Sequence, residues 1–336
     1  MNANPLGDLL SSSPPVLDDA TLADLAQAYF GIAGTMKRLT SERDLNVQIT
    51  TPSQSYVLKL TNPAEPREVT DFQTKALLHL EASGLPVPRV IRTRSGATEA
   101  ILPQGTLRLL TYLDGTPMHL SPRTGAQTRA MGRMAARLTL GLQGFSHPAS
   151  DHVLQWDIKQ AAALRPLLPS IADDSLRATA TQTLDRFDTQ VAPHLPDLRW
   201  QVVHSDLNPH NVLIAPGNPD EIAGVLDFGD MVYTPLICDA AIAASYQIDP
   251  AAPLDSLLDF ARAYHAVLPL TALEARLFPT LVATRMLTTL AIASTRAARY
   301  PDNATYILRN VPTAREGLTA LASLDPATTR TAMEAL

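Results

Sequence analysis

The 336-residue sequence is poor in cysteine and lysine and has no surplus of positive charge. Its single cysteine, Cys238, cannot close an internal disulfide and excludes a cysteine-rich metal site. A lone thiol fits a reducing compartment, so a cytoplasmic location is expected. Lysine and arginine together number 27 against 33 acidic side chains, a net charge of −6, whereas a protein that grips a phosphate backbone needs a basic face. No nucleic-acid partner is expected. Nor is a membrane partner: residues 1–18 lack a basic start followed by an apolar run and read as a mobile lead-in. The most apolar late stretch, residues 277–295, is interrupted by Arg285 and followed by Arg296, which suits a buried helix of a soluble domain. There is no internal repeat and no low-complexity tract.

Hydrophobic spacing divides what remains. Residues 19–30 carry Leu22, Leu25, Ala26 and Tyr29 at helical intervals, with Gly31 behind them. From residue 35 to residue 113 short β-like runs follow one another at residues 37–42, 46–51, 56–61, 89–94 and 106–113. One helix, residues 66–82, follows the third run; Pro66 suits its first turn and Gly84 follows its end. Beyond residue 115 the period becomes 3.6, and helices are expected over residues 129–142, 159–168, 176–191, 254–267, 272–296 and 304–321. Residues 199–230 are the exception, where two apolar runs flank a polar turn at residues 216–219 and suggest a β-hairpin-like insert. The expected fold is therefore α+β: a small antiparallel-sheet lobe with one inserted helix (residues 19–110), a hinge (111–115) and a larger, mostly helical lobe (116–336).

The insert carries the chemistry. It reads His204-Ser205-Asp206-Leu207-Asn208-Pro209-His210-Asn211, then Val225-Leu226-Asp227-Phe228-Gly229-Asp230. An Asp followed five residues later by an Asn, then an Asp-Phe-Gly closing an apolar run, matches the catalytic and metal-binding loops of kinases. Transfer of a γ-phosphoryl group needs a carboxylate to orient and deprotonate the acceptor hydroxyl, and oxygen ligands for Mg²⁺, a hard cation. Asp206 is then the base, Asn211 and Asp227 the metal ligands, and His204 a brace for the loop. Any one of these residues alone could be an ordinary turn former. With only four lysines among 27 basic residues, Lys59 in the apolar run Tyr56-Val57-Leu58-Lys59-Leu60 stands out: a kinase places in such a strand the lysine that contacts the α- and β-phosphates, although alternation alone would also allow an exposed strand lysine.

These motifs, with Ser41-Glu42-Arg43-Asp44-Leu45-Asn46, Glu65-Pro66-Arg67-Glu68, Leu85-Pro86-Val87-Pro88 and Met231-Val232-Tyr233, resemble the aminoglycoside phosphotransferase and choline kinase superfamily of small-molecule kinases, and within it the hydroxylysine-kinase-type branch. The resemblance implies a bilobal protein-kinase-like fold and Mg²⁺-dependent transfer from ATP or GTP to the hydroxyl of a small molecule bearing an amine. A 5-hydroxylysine-like acceptor is the first guess; homoserine, choline, ethanolamine or an aminoglycoside is the alternative. By analogy it also implies a pathway link to a pyridoxal-phosphate-dependent phospholyase. A catalytically silent kinase-like domain that binds nucleotide or a partner is the reading from another class.

Some positions depart from the pattern. On the wheel of the inserted helix, Gln73 and not a glutamate faces inward, so Lys59 would gain a neutral partner unless Glu68 reaches round. No Gly-x-Gly-x-x-Gly precedes Lys59, leaving the turn at residues 41–46, with Arg43 or Asn46, to cover the phosphates. Ser205 replaces the arginine of the protein-kinase loop, and no Ala-Pro-Glu follows Asp227, which argues against control by loop phosphorylation and against a protein substrate. The hinge run, through Thr111 and Leu113, would offer backbone groups to the base. Asp230 could meet a substrate ammonium or a second metal, and Asp239 could cap a helix. His147 and His152 are expected as solvated loop residues, and Trp156 and Cys238 as packing residues.

Overall fold

The computed structural model describes residues 14–41 and 43–336; most of the predicted lead-in, and Glu42 of the predicted phosphate-covering turn, lie outside the described residues. The chain divides into two compact units. The first runs to Gly115 and takes in His147–Ser150 and Ala223–Leu226; the second comprises Thr116–Ser146, Asp151–Ile222 and Asp227–Leu336.

In the first unit, helix α1 (Asp19–Phe30) begins where Asp18 accepts the Thr21 N–H and ends at Gly31, whose φ of 70° suits glycine. Strands β1 (Thr35–Leu39), β2 (Leu45–Thr50), β3 (Ser55–Leu60), β4 (Val90–Ile91), β5 (Ala100–Leu102) and β6 (Gly105–Thr111) form an antiparallel sheet in the order β1-β2-β3-β6-β4, with β5 also on β6. Helix α2 (Arg67–Leu80) follows β3, as the spacing predicts, and a single 3₁₀ turn leads from it to Gly84. Alternation assigns the two faces of the sheet. Leu45, Val47, Ile49, Leu58, Leu60, Leu107 and Leu109 join Leu22, Ala26 and Phe30 in one core. The residues between them, Asn46, Lys59 and Arg108, are direct cross-strand neighbours and form a polar row on the opposite face.

The second unit is mostly helical. It contains β7 (Thr116–Pro117), α3 (Gly125–Gly141), α4 (Asp174–Arg186), β8 (Trp200–Val203), β9 (Val212–Ala215), β10 (Asn218–Val225, its last residues counted with the first unit), β11 (Val232–Pro235), α5 (Leu236–Ser245), α6 (Pro253–His265), α7 (Ala272–Arg299), α8 (Ala304–Ile307), α9 (Val311–Ala322) and α10 (Pro326–Glu334). Every residue of α5 is buried. Helices α3 and α6 approach so closely at Gly132 that a Cβ there would lie 2.5 Å from the Phe260 carbonyl oxygen. Helix α7 starts at a capping box between Thr271 and Glu274, and 78% of its most apolar window is buried, which explains its hydropathy without a bilayer.

The predicted helix at residues 159–168 is a 3₁₀ segment, Ile158–Ser170, because Pro166 and Pro169 remove the donors an α-helix needs. The predicted helix at residues 176–191 is α-helical only to Arg186 and continues as a π turn, Phe187–Val191. The one predicted at 304–321 breaks into α8 and α9, since Pro312 has no N–H for the Leu308 carbonyl and its ring crowds that group. The run at residues 89–94 contributes only the two residues of β4. In the insert, the apolar runs flanking the turn do not pair with each other: β8 pairs with β11, while β9 lies between β10 and β7.

Candidate active site

Strand β8 delivers the chain into a loop that begins with fully buried His204. Ser205 and Asp227, at φ of 65° and 57°, are the only non-glycine residues with positive φ among the described residues. Left-handed backbone at two L residues, one next to Asp206 and one opening the Asp-Phe-Gly string, is strain that the surroundings must hold. They do so by hydrogen bonds. The Ser205 N–H donates to Asp239 Oδ1 at 2.7 Å, the Asp206 N–H donates to His204 Nδ1 at 3.2 Å, and the Gly229 N–H donates to Asp227 Oδ1 at 3.1 Å. The His204 ring meets Phe228 edge-on at 4.7 Å, tying the two loops together and giving the brace its physical content. Asp239 is not a helix cap: α5 begins three residues before it, and its buried carboxylate faces the backbone of His204 and Ser205 instead.

Asp206 is held on both oxygens. Oδ2 accepts from Asn208 Nδ2 at 2.9 Å and from Asn211 Nδ2 at 2.7 Å, and Oδ1 accepts from Arg285 Nη2 at 3.3 Å. Burial first, and then repulsion by Asp230 and Asp227, pushes the Asp206 carboxyl up to about 7, with Arg285 and Asn208 pulling the other way. Asp239 is likewise driven up to about 7 by burial, against the backbone N–H groups of Ser205 and His204.

The metal-ligand pair fits a hard cation. Because Asn211 spends its amide nitrogen on Asp206, its carbonyl oxygen is the atom available to a metal, and Asp227 offers a carboxylate from the neighbouring loop. Mg²⁺ commonly takes only one or two protein ligands and completes its shell with phosphate and water, so a pair of this kind suffices. Asp230 lies near enough for its charge to act on Asp206 and Arg285.

In the first unit, Lys59 Nζ lies 2.9 Å from Asp44 Oδ2. Burial raises the Asp44 carboxyl, but the charge and hydrogen bond of Lys59, joined by the Asn62 N–H at 3.0 Å, outweigh it and hold the group below the usual carboxylate range. Gln73 is buried as the wheel requires, yet it does not serve Lys59. Its amide donates to Glu65 Oε1 at 2.8 Å and accepts from Arg108 Nη2 at 3.0 Å, so it is part of a bracket around the buried arginine. Glu68 is not the lysine's partner either. Asn46 stands directly across from Lys59 with its Oδ1 buried and lacking a hydrogen-bond partner, whereas Arg43 contributes its carbonyl to Asn62.

The hinge run is largely committed to the sheet. The Thr111 N–H donates to the Arg89 carbonyl at 2.9 Å and the Tyr112 N–H to the Ser55 carbonyl at 3.0 Å, so a base could not take the Thr111 N–H without breaking the sheet, and Leu113 lies beyond the strand. His147 is no solvated loop residue: its Nε2 lies 3.1 Å from Asp71 Oδ2 and its ring stacks on Phe72. No cluster of three or more His, Cys, Asp or Glu side chains suited to a metal occurs among the described residues. Cys238 is buried packing, as expected, but Trp156 does more, receiving the Arg285 guanidinium over its ring at 5.4 Å. Arg285, Asp44 and Asp239 have partners that spacing along the chain does not reveal; an arginine alone in an apolar helix is the one visible signal.

A phosphotransferase enzyme family model matches residues 35–277, and the chain belongs to that family. It is 27% identical over 328 residues to the hydroxylysine kinase of Mus musculus, covering 89% of this chain and 87% of that protein. It is 31% identical over 243 residues to the homoserine kinase of Pseudomonas aeruginosa (strain LESB58), covering 68% and 70%. Among solved structures, an amicoumacin kinase in complex with AMP-PNP, Ca²⁺ and Ami superposes with a TM-score of 0.66 at 15% identity, over 93% of this chain and 97% of that one. The fold is thus the bilobal kinase-like α+β fold, and the chain is a phosphotransferase that acts on hydroxyl groups.

Proposed function

We propose that this member of the phosphotransferase enzyme family transfers the γ-phosphoryl group of ATP or GTP to the hydroxyl of a hydroxy amino acid or amino alcohol, with a 5-hydroxylysine-like acceptor first. The observation that carries the reading is Asp206: a carboxylate with both oxygens oriented, its neighbour Asn211 turned so that an oxygen is left for a metal. In this reading Asp206 accepts the hydroxyl proton of the acceptor as the oxygen attacks phosphorus. Lys59, on the polar row of the first unit, binds the α- and β-phosphates, with Asn46 directly across from it and Arg43 next in sequence to its partner Asp44. Asn211 and Asp227 hold Mg²⁺, which when bound neutralises charge on the phosphates. The AMP-PNP and Ca²⁺ in the amicoumacin kinase structure support a nucleotide donor and a divalent cation here.

The hydroxylysine and homoserine kinases among the relatives both take acceptors that carry an amine and a hydroxyl, which supports that acceptor class and makes homoserine the second candidate. Choline, ethanolamine and aminoglycosides follow. The silent-domain reading rested on Gln73, and the Asp44 pairing of Lys59 removes its motive. The phosphorylated product would suit a pyridoxal-phosphate-dependent phospholyase, with both steps in the cytoplasm. The test is release of nucleoside diphosphate from ATP and from GTP over a panel of amino alcohols, run beside Asp206→Ala. Turnover with one acceptor that the variant abolishes supports the reading; nucleotide binding without turnover on any acceptor overturns it.

A further inference from the structure

Arg285 is the only charged residue between Arg276 and Arg296, and it stands in the middle of α7 at 3% exposure. A guanidinium there is costly. Apolar replacements of buried ion pairs are often neutral or stabilising, so packing alone does not account for the residue. Its surroundings fix it in one pose: Nη1 donates to the Trp156 carbonyl at 3.0 Å, and the guanidinium lies over the Trp156 ring at 5.4 Å. What that pose presents to the catalytic loop is Nη2, 3.3 Å from Asp206 Oδ1.

An ionised carboxylate has about two lone-pair sites on each oxygen. Oδ2 is filled by the amides of Asn208 and Asn211. Among the described residues Oδ1 accepts from Arg285 alone, which leaves one site open. We propose that Oδ1 is the oxygen that receives the acceptor's proton, and that Arg285 is the positioning residue that aims it by occupying its other lone pair.

This inference rests on Asp206 being the base and extends it to a single atom and its support. The proton moves from the acceptor hydroxyl to Oδ1 while the acceptor oxygen bonds to phosphorus and the bond to the leaving nucleoside diphosphate breaks. Arg285 takes no part in that exchange and touches neither substrate. Its charge also offsets the crowding of Asp206 by Asp227 and Asp230, which an uncharged residue of the same size would not do.

The test uses the full chain with its best acceptor. Arg285→Ala should lower kcat about a hundredfold while the nucleotide KM changes less than about threefold, because orientation of the base is lost and nucleotide contacts are not. Arg285→Lys, which keeps the charge but not the fork, should recover about tenfold of that loss. Millimolar guanidinium should restore turnover to Arg285→Ala in a saturable way, a response that a merely structural role would not give. If both variants turn over within about twofold of the parent, or if the loss falls on the nucleotide KM, the inference is wrong. Should Arg285→Ala fail to fold, Arg285→Lys decides: folded with kcat down supports it, folded with kcat unchanged overturns it. Asp206→Asn separates the layers, since turnover surviving that change sinks the assignment of the base itself, whereas turnover lost there but intact in the Arg285 variants sinks only this inference.

Discussion

Lys59 Nζ lies 2.9 Å from Asp44 Oδ2, and this carboxylate from the turn before β2, not one from α2, is what holds the strand lysine. The kinase pattern places that partner on the inserted helix. Here the helix position belongs to Gln73, which braces Arg108. The pair is nearly closed to water, with side-chain exposures of 17% for Lys59 and 8% for Asp44, so its geometry is worth more than that of a surface ion pair.

Removing the charge of that partner should therefore act on the donor. Asp44→Asn is expected to raise the nucleotide KM about tenfold, the size of one charge-assisted hydrogen bond, and Lys59→Ala to do more. Gln73→Ala should leave the nucleotide KM near that of the parent. Initial rates against ATP and GTP measure all three. A Gln73→Ala effect exceeding that of Asp44→Asn would reverse the assignment.

Asp206→Asn should reduce kcat by about 10²–10⁴, the range of general base catalysis, with nucleotide affinity retained. The substitution is nearly isosteric, so a melting temperature close to that of the parent would show that chemistry and not folding was lost. Unchanged kcat would dismiss Asp206 as the base.

Chelation should abolish turnover, and Mg²⁺ should restore it. Asn211→Ala is expected to shift the Mg²⁺ concentration for half-maximal rate upward by about tenfold, and Asp227→Asn by more, because a charged ligand is removed. A Mg²⁺ titration of the two variants provides the measurement; identical titration curves would place the metal elsewhere.

Asp239 makes stability depend on pH. Its carboxyl is raised to about 7 in the fold from an ordinary value of 3.8, so the folded state binds this proton more tightly than the unfolded one. The stabilisation is fully present below about pH 4 and is lost as pH rises through about 7. The melting temperature of the parent should therefore fall, relative to Asp239→Asn, between pH 5 and pH 8. Asp206 is shifted in the same sense, which is why the difference between the two proteins is the quantity to follow. Parallel curves would mean that Asp239 stays ionised throughout.

Local pattern was enough for much of this. Alternation in Tyr56-Val57-Leu58-Lys59-Leu60 put Lys59 on the face away from the apolar core, and the wheel put Gln73 inward; both follow from periods of 2 and 3.6 that the chain cannot hide. Two of the predicted helices broke at prolines, Pro166 and Pro169 in one and Pro312 in the other, where a missing N–H overrides hydrophobic spacing. The strand pairing of the insert is not legible in the sequence, because β8 and β11 are brought together by the loops between them and alternation says nothing about partners.

The sequence by itself determined the chemistry: His204 to Asn211 and Asp227 to Gly229 are contiguous strings whose spacing along one loop each sets which carboxylate and which amide can meet. Only the tertiary structure decided what supports them. Asp44 reaches Lys59 across a turn, Arg285 reaches Asp206 from 79 residues away, and Asp239 reaches Ser205 from 34. Each of these is a charged group whose partner is chosen by burial and by the path of the backbone, and neither quantity is written in the spacing of neighbouring residues.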